Sequence, residues 1–131
     1  MRRVVPDASV MAAITFSEPD AAEWSTRLEN AVLCAPTLLR YELQSVARKK
    51  CRTHPKDARR ILKALEITLD PATRIVWLDP NPRDVVLVAN ATGLSAYDAS
   101  YLCLAGMLEA DLITRDRTLA AAIDPFAQSL R

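Results

Sequence analysis

The stretch Leu94–Asp116, LSAYDASYLCLAGMLEADLITRD, decides the fold class of this chain. Its first part predicts a helix over 96–110 that carries apolar side chains on nearly every face. A helix with that pattern is buried in a folded protein. The run 111–114 that follows, Asp-Leu-Ile-Thr, predicts a short β-strand. The stretch therefore predicts a buried helix that leads directly into a strand.

The same alternation of short apolar runs and longer helical patterns continues through the rest of the chain. The other predicted strands are 3–5, 31–35 and 74–78. The other predicted helices lie near 18–29, 36–50, 55–69, 82–91 and 117–123. Strands separated by helices indicate a parallel sheet with helices on both faces. With no internal repeat and no linker, we expect one α/β domain over residues 1–131, in which 126–130 is a candidate edge strand.

Composition excludes several classes of function. The two glycines, Gly93 and Gly106, stand alone, whereas a Walker loop or a dinucleotide fold needs a glycine-rich motif. The single histidine, His54, makes a triad with a histidine base improbable. The three cysteines show no C-x-x-C spacing, so we expect no disulfide framework and no zinc site. Catalysis in this chain would therefore depend on its carboxylates.

The same features predict where the protein works. Free cysteines are typical of a reducing cytosol. The apolar runs are much shorter than the roughly 18 residues that a membrane span needs. Arg2 and Arg3 are followed by only two valines before Pro6, so the pattern of a signal peptide is missing. We expect a cytoplasmic protein.

Charge is distributed unevenly along the chain. The segment 40–63, here called the basic segment, carries nine basic and two acidic residues, whereas the whole chain has a net charge of only +1. Its exposed cations are expected to include Arg48, Lys49, Lys56, Arg59, Arg60 and Lys63. One interpretation is a solvated helix face. The other is a contact surface for a polyanion, most simply the backbone of a nucleic acid.

Two aspartates follow predicted strands. Asp7 stands at the end of the first strand, and Asp116 stands two residues beyond the fourth. In open parallel sheets, ligands bind outside the carboxyl ends of the strands, so these positions are compatible with one shared crevice. Aspartate is also a favoured helix N-cap, which is a purely structural alternative for each of them.

Two further carboxylates stand on helices. Glu42 lies between Leu39 and Val46 in the apolar stripe of the predicted helix 36–50, where a charged group is seldom buried without a partner or a metal. The alternative is a glutamate at the edge of the stripe that reaches water. Asp98 lies on the inward face of the helix 96–110, although Ser95 three residues earlier also predicts a capping box.

The four carboxylates carry more information together than singly. If they converge to separations of about 5 Å, each pair repels by roughly 3 kcal/mol at an effective dielectric constant of 20. Such a group requires protonation or a bound cation. Oxygen-only ligands suit Mg²⁺ or Mn²⁺, which activate water and stabilise phosphate oxygens. Convergence, which the sequence does not show, would therefore predict a metal-dependent nuclease.

Four segments in this order and spacing resemble the PIN-domain family, and within it the VapC-type toxins of bacterial toxin–antitoxin pairs. They are Val4–Ser9 (VVPDAS), Pro36 with Glu42 six residues later, Leu94–Tyr101 (LSAYDASY) and Leu112–Asp116 (LITRD). The resemblance implies a three-layer α/β/α sandwich with a mainly parallel sheet of four to five strands. It also implies a Mg²⁺- or Mn²⁺-dependent endoribonuclease, usually dimeric and inhibited by a small antitoxin.

The resemblance assigns roles to particular residues. The acidic quartet corresponds to Asp7, Glu42, Asp98 and Asp116, with Ser9 and Thr114 as supporting polar residues. The three aspartates would hold the metal, directly or through water, and Glu42 would position or deprotonate the attacking water. The products would be a 5′-phosphate and a 3′-hydroxyl.

Other classes of protein remain as alternatives. The most serious is a non-catalytic α/β module that binds RNA or a protein through the basic segment. A receiver domain also gathers acidic residues around Mg²⁺, but it needs a lysine after a late strand, and no lysine follows Lys63. A phosphatase of the D-x-D type would need a second acidic residue where Ser9 stands.

Overall fold

The computed structural model describes residues 1–129, with side chains for residues 1–124. The strands are β1 (Arg2–Pro6), β2 (Ala31–Ala35), β3 (Val76–Trp77) and β4 (Asp111–Ile113). The helices are α1 (Ala8–Thr15), α2 (Ala21–Leu28), α3 (Leu38–Thr53), α4 (Ala58–Leu69), α5 (Pro82–Thr92), α6 (Ala96–Leu108) and α7 (Arg117–Ser129). Short 3₁₀ turns at Pro55–Asp57 and Pro71–Thr73 precede α4 and β3.

The strands form a parallel sheet in the order β3-β2-β1-β4. Val4 of β1 pairs with Leu33 of β2, and Val5 pairs with Leu112 of β4. Helices flank this sheet, so the predicted α/β/α sandwich is confirmed. Because β1 lies between β2 and β4, its carboxyl end has a neighbouring strand end on each side.

The core lies on both faces of the sheet, because successive residues of a strand point to opposite sides. Val5 packs in a large cluster with Leu39 and Leu104, from α3 and α6. Val4 packs in a second cluster with Val10 and Trp24, from α1 and α2. The two clusters hold α3 and α6 against one side and α1 and α2 against the other.

Three predictions about elements were wrong or incomplete. The candidate edge strand at 126–130 is wrong over 126–129, because α7 continues to Ser129, while Leu130 lies outside the described residues. The helix α1 was missing from the predicted helices. The strand predicted at 74–78 is reduced to Val76–Trp77, because Arg74 takes the left-handed conformation (φ +61°) that ends the preceding turn.

These differences have local causes. In α7, Leu119, Ile123 and Phe126 follow the helical spacing, so Pro125 was a misleading sign of a break. In α1, five of the eight residues are buried, so the short segment has no polar face to mark it as a helix. None of the helices described over 1–129 combines the length and the apolar character that a membrane crossing requires.

Candidate active site

Asp7 lies at the carboxyl end of the central strand β1 and is only 5% exposed. Its Oδ1 accepts hydrogen bonds from the Ser9 hydroxyl (2.6 Å) and from the Val10 backbone N–H (3.2 Å). Its Oδ2 accepts one from the Thr114 hydroxyl (2.5 Å). Asp7 is thus the N-cap of α1, the structural role that was the alternative to a functional one. It also lies at the sheet edge where a ligand is expected.

The two hydroxyls that contact Asp7 are themselves held by the segment after β4. The backbone N–H of Arg115 donates to the Ser9 hydroxyl (3.1 Å). The backbone N–H of Asp116 donates to the Thr114 hydroxyl (2.9 Å). Each hydroxyl therefore accepts from one backbone group and donates to Asp7, which ties the ends of β1 and β4 together. Ser9 and Thr114 both lie where supporting residues of the site were expected.

Glu42 is half-buried on α3 and accepts a hydrogen bond from the Tyr101 hydroxyl of α6 (2.5 Å). Burial raises the pKa of Glu42, the Tyr101 hydrogen bond partly opposes that rise, and Asp98 and Asp7 add to it. The charged group therefore has the partner that its position in the apolar stripe required. It is also close enough to Asp98 and Asp7 to be affected by their charges.

Tyr101 was not among the candidate residues. Its side chain is 1% exposed, and burial together with the hydrogen bond to Glu42 raises its pKa, so the phenol stays protonated and donates. A tyrosine on a fully buried helix needs a polar partner for its hydroxyl. That requirement was a signal in the sequence, although it did not identify Glu42, which is 59 residues away.

Asp98 is half-buried in the first turn of α6. The Ser95 hydroxyl caps the helix by accepting a hydrogen bond from the backbone N–H of Asp98 (3.1 Å). This cap therefore involves the backbone of Asp98 and not its carboxylate. Burial raises the pKa of the Asp98 carboxyl, and the nearby charges of Asp116 and Asp7 raise it further.

Asp116 is exposed and caps α7, since its Oδ1 accepts the backbone N–H of Leu119 (3.0 Å). The charge of Asp116 contributes to the raised pKa of Asp98, and the charge of Asp98 contributes to the raised pKa of Glu42. Asp7, Glu42, Asp98 and Asp116 thus come from four parts of the chain to one region, here called the carboxylate site. The converging carboxylates repel one another. This repulsion adds to the effect of burial, which raises the pKa of Glu42 and Asp98.

The ligand chemistry of this site can be tested against a divalent cation. Within residues 1–129, no three Asp, Glu, His or Cys side chains are grouped closely enough to enclose an ion. Mg²⁺ does not need such a cage, because it retains several waters and binds through one or two carboxylates and the phosphates of a substrate. Oxygen-only donors, among which burial and neighbouring carboxylates raise the pKa of Glu42 and Asp98, fit a hard cation in chemistry and in charge.

An ion-pair cluster beside the site was also missed by sequence reasoning. The guanidinium of Arg115 bonds both carboxylate oxygens of Asp20 (3.1 and 3.2 Å) and one of Glu18 (3.1 Å). The Trp24 indole N–H donates to Asp20, and this bond, with that of Arg115, lowers the pKa of Asp20. The cluster holds Arg115, whose backbone N–H fixes Ser9. Arg115 lies 95 residues from Asp20 in the sequence, so no spacing marked the cluster.

The basic segment lies on α3, the 3₁₀ turn and α4. All six cations expected there are exposed: Arg48, Lys49, Lys56, Arg59, Arg60 and Lys63. Surface ion pairs join Arg60 to Asp57 (3.3 Å) and Lys63 to Glu66 (4.0 Å). Pairs this exposed contribute little to stability, so they leave the cations available for a polyanion.

Comparisons with known proteins identify the class to which this fold and site belong. The family model for the PIN domain matches residues 4–124, so the chain belongs to the PIN domain family. PIN domains form a nuclease superfamily whose members generally use divalent metals, which supports a nuclease function.

A solved structure extends the comparison to the whole fold. The crystal structure of PAE2754 from Pyrobaculum aerophilum is 26% identical in sequence and superimposes with a TM-score of 0.73. The match covers 98% of this chain and 96% of that one. The search among curated proteins found no match.

Proposed function

We propose that this protein is a Mg²⁺- or Mn²⁺-dependent endoribonuclease and the toxin of a toxin–antitoxin pair. The observation that carries the proposal is the carboxylate site at the sheet edge, where burial and neighbouring charges raise the pKa of Glu42 and Asp98. Such perturbed groups cluster at functional sites. The resemblance to VapC-type toxins supports the finer assignment to RNA and to a toxin.

Three aspartates, Asp7, Asp98 and Asp116, would hold the cation in this proposal, some directly and others through its bound water. A bound divalent cation supplies an activated water and neutralises the charge that develops on phosphate oxygens. The hydroxyls of Ser9 and Thr114 restrict the Asp7 carboxylate to one orientation. A ligand fixed in this way loses little freedom on binding, so its contribution to affinity is larger.

Glu42 would accept the proton of the attacking water. A carboxylate with a raised pKa is a better base near neutral pH than an exposed one. Tyr101 donates to Oε1 of Glu42, which restrains the position of the carboxylate. Attack on phosphorus then releases the 3′-oxygen as a hydroxyl and leaves the phosphate on the 5′ end of the other product.

The basic segment would hold the RNA backbone. Contacts between cations and phosphates release counterions, so we expect RNA affinity to fall steeply with salt. The cations proposed for this contact are Arg48, Lys49, Lys56, Arg59, Arg60 and Lys63. The same surface is the alternative contact for an inhibiting protein partner.

Cleavage of a structured RNA tests the proposed chemistry. The protein is incubated with the RNA and Mg²⁺ or Mn²⁺, with and without EDTA, beside Asp7→Asn and Asp98→Asn. We expect cleavage that EDTA abolishes and that both variants lose. Asp84→Asn, which removes an exposed carboxylate of α5, is the matched control and retains activity. Cleavage in EDTA would contradict the proposal, and RNA that is bound but intact would favour a non-catalytic module.

The toxin role needs a test in cells. Induced expression of the protein should arrest growth, and expression of Asp7→Asn should not. Co-expression of a short neighbouring gene that encodes a DNA-binding segment and an extended tail should restore growth. Light scattering of the purified protein tests the homodimer that the resemblance implies.

A further inference from the structure

A cleft of about 320 Å³ lies outside the carboxylate site, between the ends of α1 and α3 and the start of α4. Its lining includes Thr15, Phe16, Ser17, Lys50, His54 and Arg60. A volume near 300 Å³ is at the lower end of the range for small-molecule sites. Two cations, an imidazole and hydroxyl groups make this a polar lining suited to an anion.

The acidic groups near the cleft are held in ion pairs of different exposure. Asp57 also lines it and pairs with Arg60 at 3.3 Å, but the side chains are 44% and 80% exposed. Lys50 pairs with Glu18 at 3.6 Å, and these side chains are only 30% and 25% exposed. Exposed ion pairs stabilise little, so an incoming anion can replace Asp57 beside Arg60.

The position of the cleft relates it to the carboxylate site. Ser9, which contacts Asp7, and Thr15, which lines the cleft, lie near opposite ends of α1. Six residues of helix span about 9 Å. A cleft at about this distance is a separate position, which a strand bound at the carboxylate site would reach within a few nucleotides.

We propose that this cleft binds a backbone phosphate of single-stranded RNA, a few nucleotides from the bond cleaved at the carboxylate site. The inference rests on the proposed function for the identity of the ligand. Arg60 supplies a fork of N–H donors that matches phosphate oxygens, and Lys50 supplies a second positive charge. Continuity with the basic segment favours a polyanion over an isolated anion, because neighbouring phosphates meet further cations.

Binding of hexauridylate in EDTA tests the inference without cleavage. The protein is the Asp98→Asn variant, alone and combined with Arg60→Gln or Arg83→Gln, and affinity is measured by fluorescence anisotropy. Arg83 is the matched control, because it is an exposed arginine of α5 that lies outside the basic segment and does not line the cleft. We expect Arg60→Gln to weaken binding by about tenfold, the effect of losing a charged hydrogen bond, and Arg83→Gln by no more than about twofold.

A second variant and a second measurement protect the test from an effect on folding. His54→Gln removes the imidazole and should also weaken binding more than Arg83→Gln. Nuclear magnetic resonance spectra should show the amide signals of Ser17 and His54 shifting on addition of hexauridylate. Equal losses for Arg60→Gln and Arg83→Gln, or unshifted amides, would overturn the inference.

Separate outcomes distinguish this inference from the proposed function. If the unmodified protein cleaves RNA with Mg²⁺ while Arg60→Gln and Arg83→Gln bind hexauridylate equally, the cleft inference fails and the nuclease stands. If Arg60→Gln binds selectively worse but the unmodified protein leaves RNA intact, the phosphate site stands and the nuclease fails. If hexaglutamate binding depends on Arg60 and hexauridylate binding does not, the cleft takes an acidic protein segment and the inference is overturned.

Discussion

Asp7 shows how one side chain serves the fold and the candidate site together. It caps α1 through Val10, and it accepts hydroxyl hydrogen bonds from Ser9 and Thr114. The capping explanation and the functional explanation of this residue are therefore compatible. Its position after a strand was enough to predict that it lies at the sheet edge. Of its three donors, Ser9 and Val10 are local, and only Thr114 depends on the tertiary fold.

Replacing Thr114 by valine should lower activity as well as stability. The change keeps the side-chain shape, removes the donor to Asp7 Oδ2 and leaves the Asp116 N–H without its acceptor. Loss of such bonds costs about 1–3 kcal/mol of stability. Because a small misplacement at a reacting centre can lower the rate by up to about 100-fold, we expect kcat on RNA to fall by about tenfold or more. Thr118→Val, at an exposed position of α7, is the control. Equal kcat values for the two variants would contradict a role for Thr114 in orienting Asp7.

Replacing Tyr101 by phenylalanine should move the pH dependence of the reaction. The hydrogen bond from Tyr101 lowers the pKa of Glu42 against the dominant effect of burial. Without it the pKa rises further, so a base at Glu42 ionises only at higher pH. We expect the acidic limb of the kcat profile to shift to higher pH. A limb that stays in place or moves to lower pH would show that Glu42 is not the base that this limb reports.

At the scale of elements, strong local patterns were predictable and weak ones were not. The strand Ala31–Ala35 was predicted with its observed bounds, because an apolar β-type run lies between Asn30 and Pro36, which are typical of turns. The buried helix α1 and the C-terminal part of α7 were not, since the first lacks a polar face and the second contains Pro125. Tertiary packing decides such segments.

The α3–α4 pair carries the basic segment, and its charge can be tested at this scale. The double variant Arg59→Ala with Arg60→Ala removes two exposed cations. For single-stranded RNA, the loss of two phosphate contacts should reduce the slope of log K against log salt by about 1.4. Affinity measured over a series of salt concentrations gives this slope.

A double variant elsewhere controls for the general loss of charge. Arg3→Ala with Arg83→Ala also removes two exposed arginines, one on β1 and one on α5. Its slope should stay close to that of the unmodified protein. If the two double variants change the slope equally, the basic segment is not the surface that holds RNA.

Across the whole molecule, the parallel sheet explains why distant carboxylates meet. The strands β1 and β4 are neighbours and end at the same edge, which brings Asp7 close to Asp116. Helices α3 and α6 pack on the same core cluster and bring Glu42 and Asp98 to that edge. Strand ends and helix faces could be read from the sequence, but convergence required the strand order, which local patterns do not encode.

The convergence also predicts a cost in stability for the metal-free protein. The raised pKa of Asp98 stabilises the folded state at pH values below the ordinary pKa of an aspartate, and this contribution is lost as the pH rises through the raised value. At pH 7 the ionised carboxylate is therefore destabilising. We expect Asp98→Asn to have a higher Tm than the unmodified protein in EDTA at pH 7.

Added Mg²⁺ should reduce or reverse that difference, because a ligand that binds only the folded state stabilises it. Differential scanning calorimetry with and without Mg²⁺ measures both effects. Asp84→Asn again serves as the control, and its Tm should respond to Mg²⁺ as that of the unmodified protein does. A lower Tm for Asp98→Asn in EDTA would mean that this carboxylate stabilises the metal-free fold.

Binding of Mn²⁺, measured by isothermal titration calorimetry, tests most directly whether the carboxylates form one metal centre. The unmodified protein is compared with Asp7→Asn, Asp98→Asn and Asp116→Asn, and with Asp84→Asn as the control. We predict that each of the first three variants weakens Mn²⁺ binding and that the control does not. Unchanged affinity in any one of the three, or an equal loss in Asp84→Asn, would contradict a shared centre.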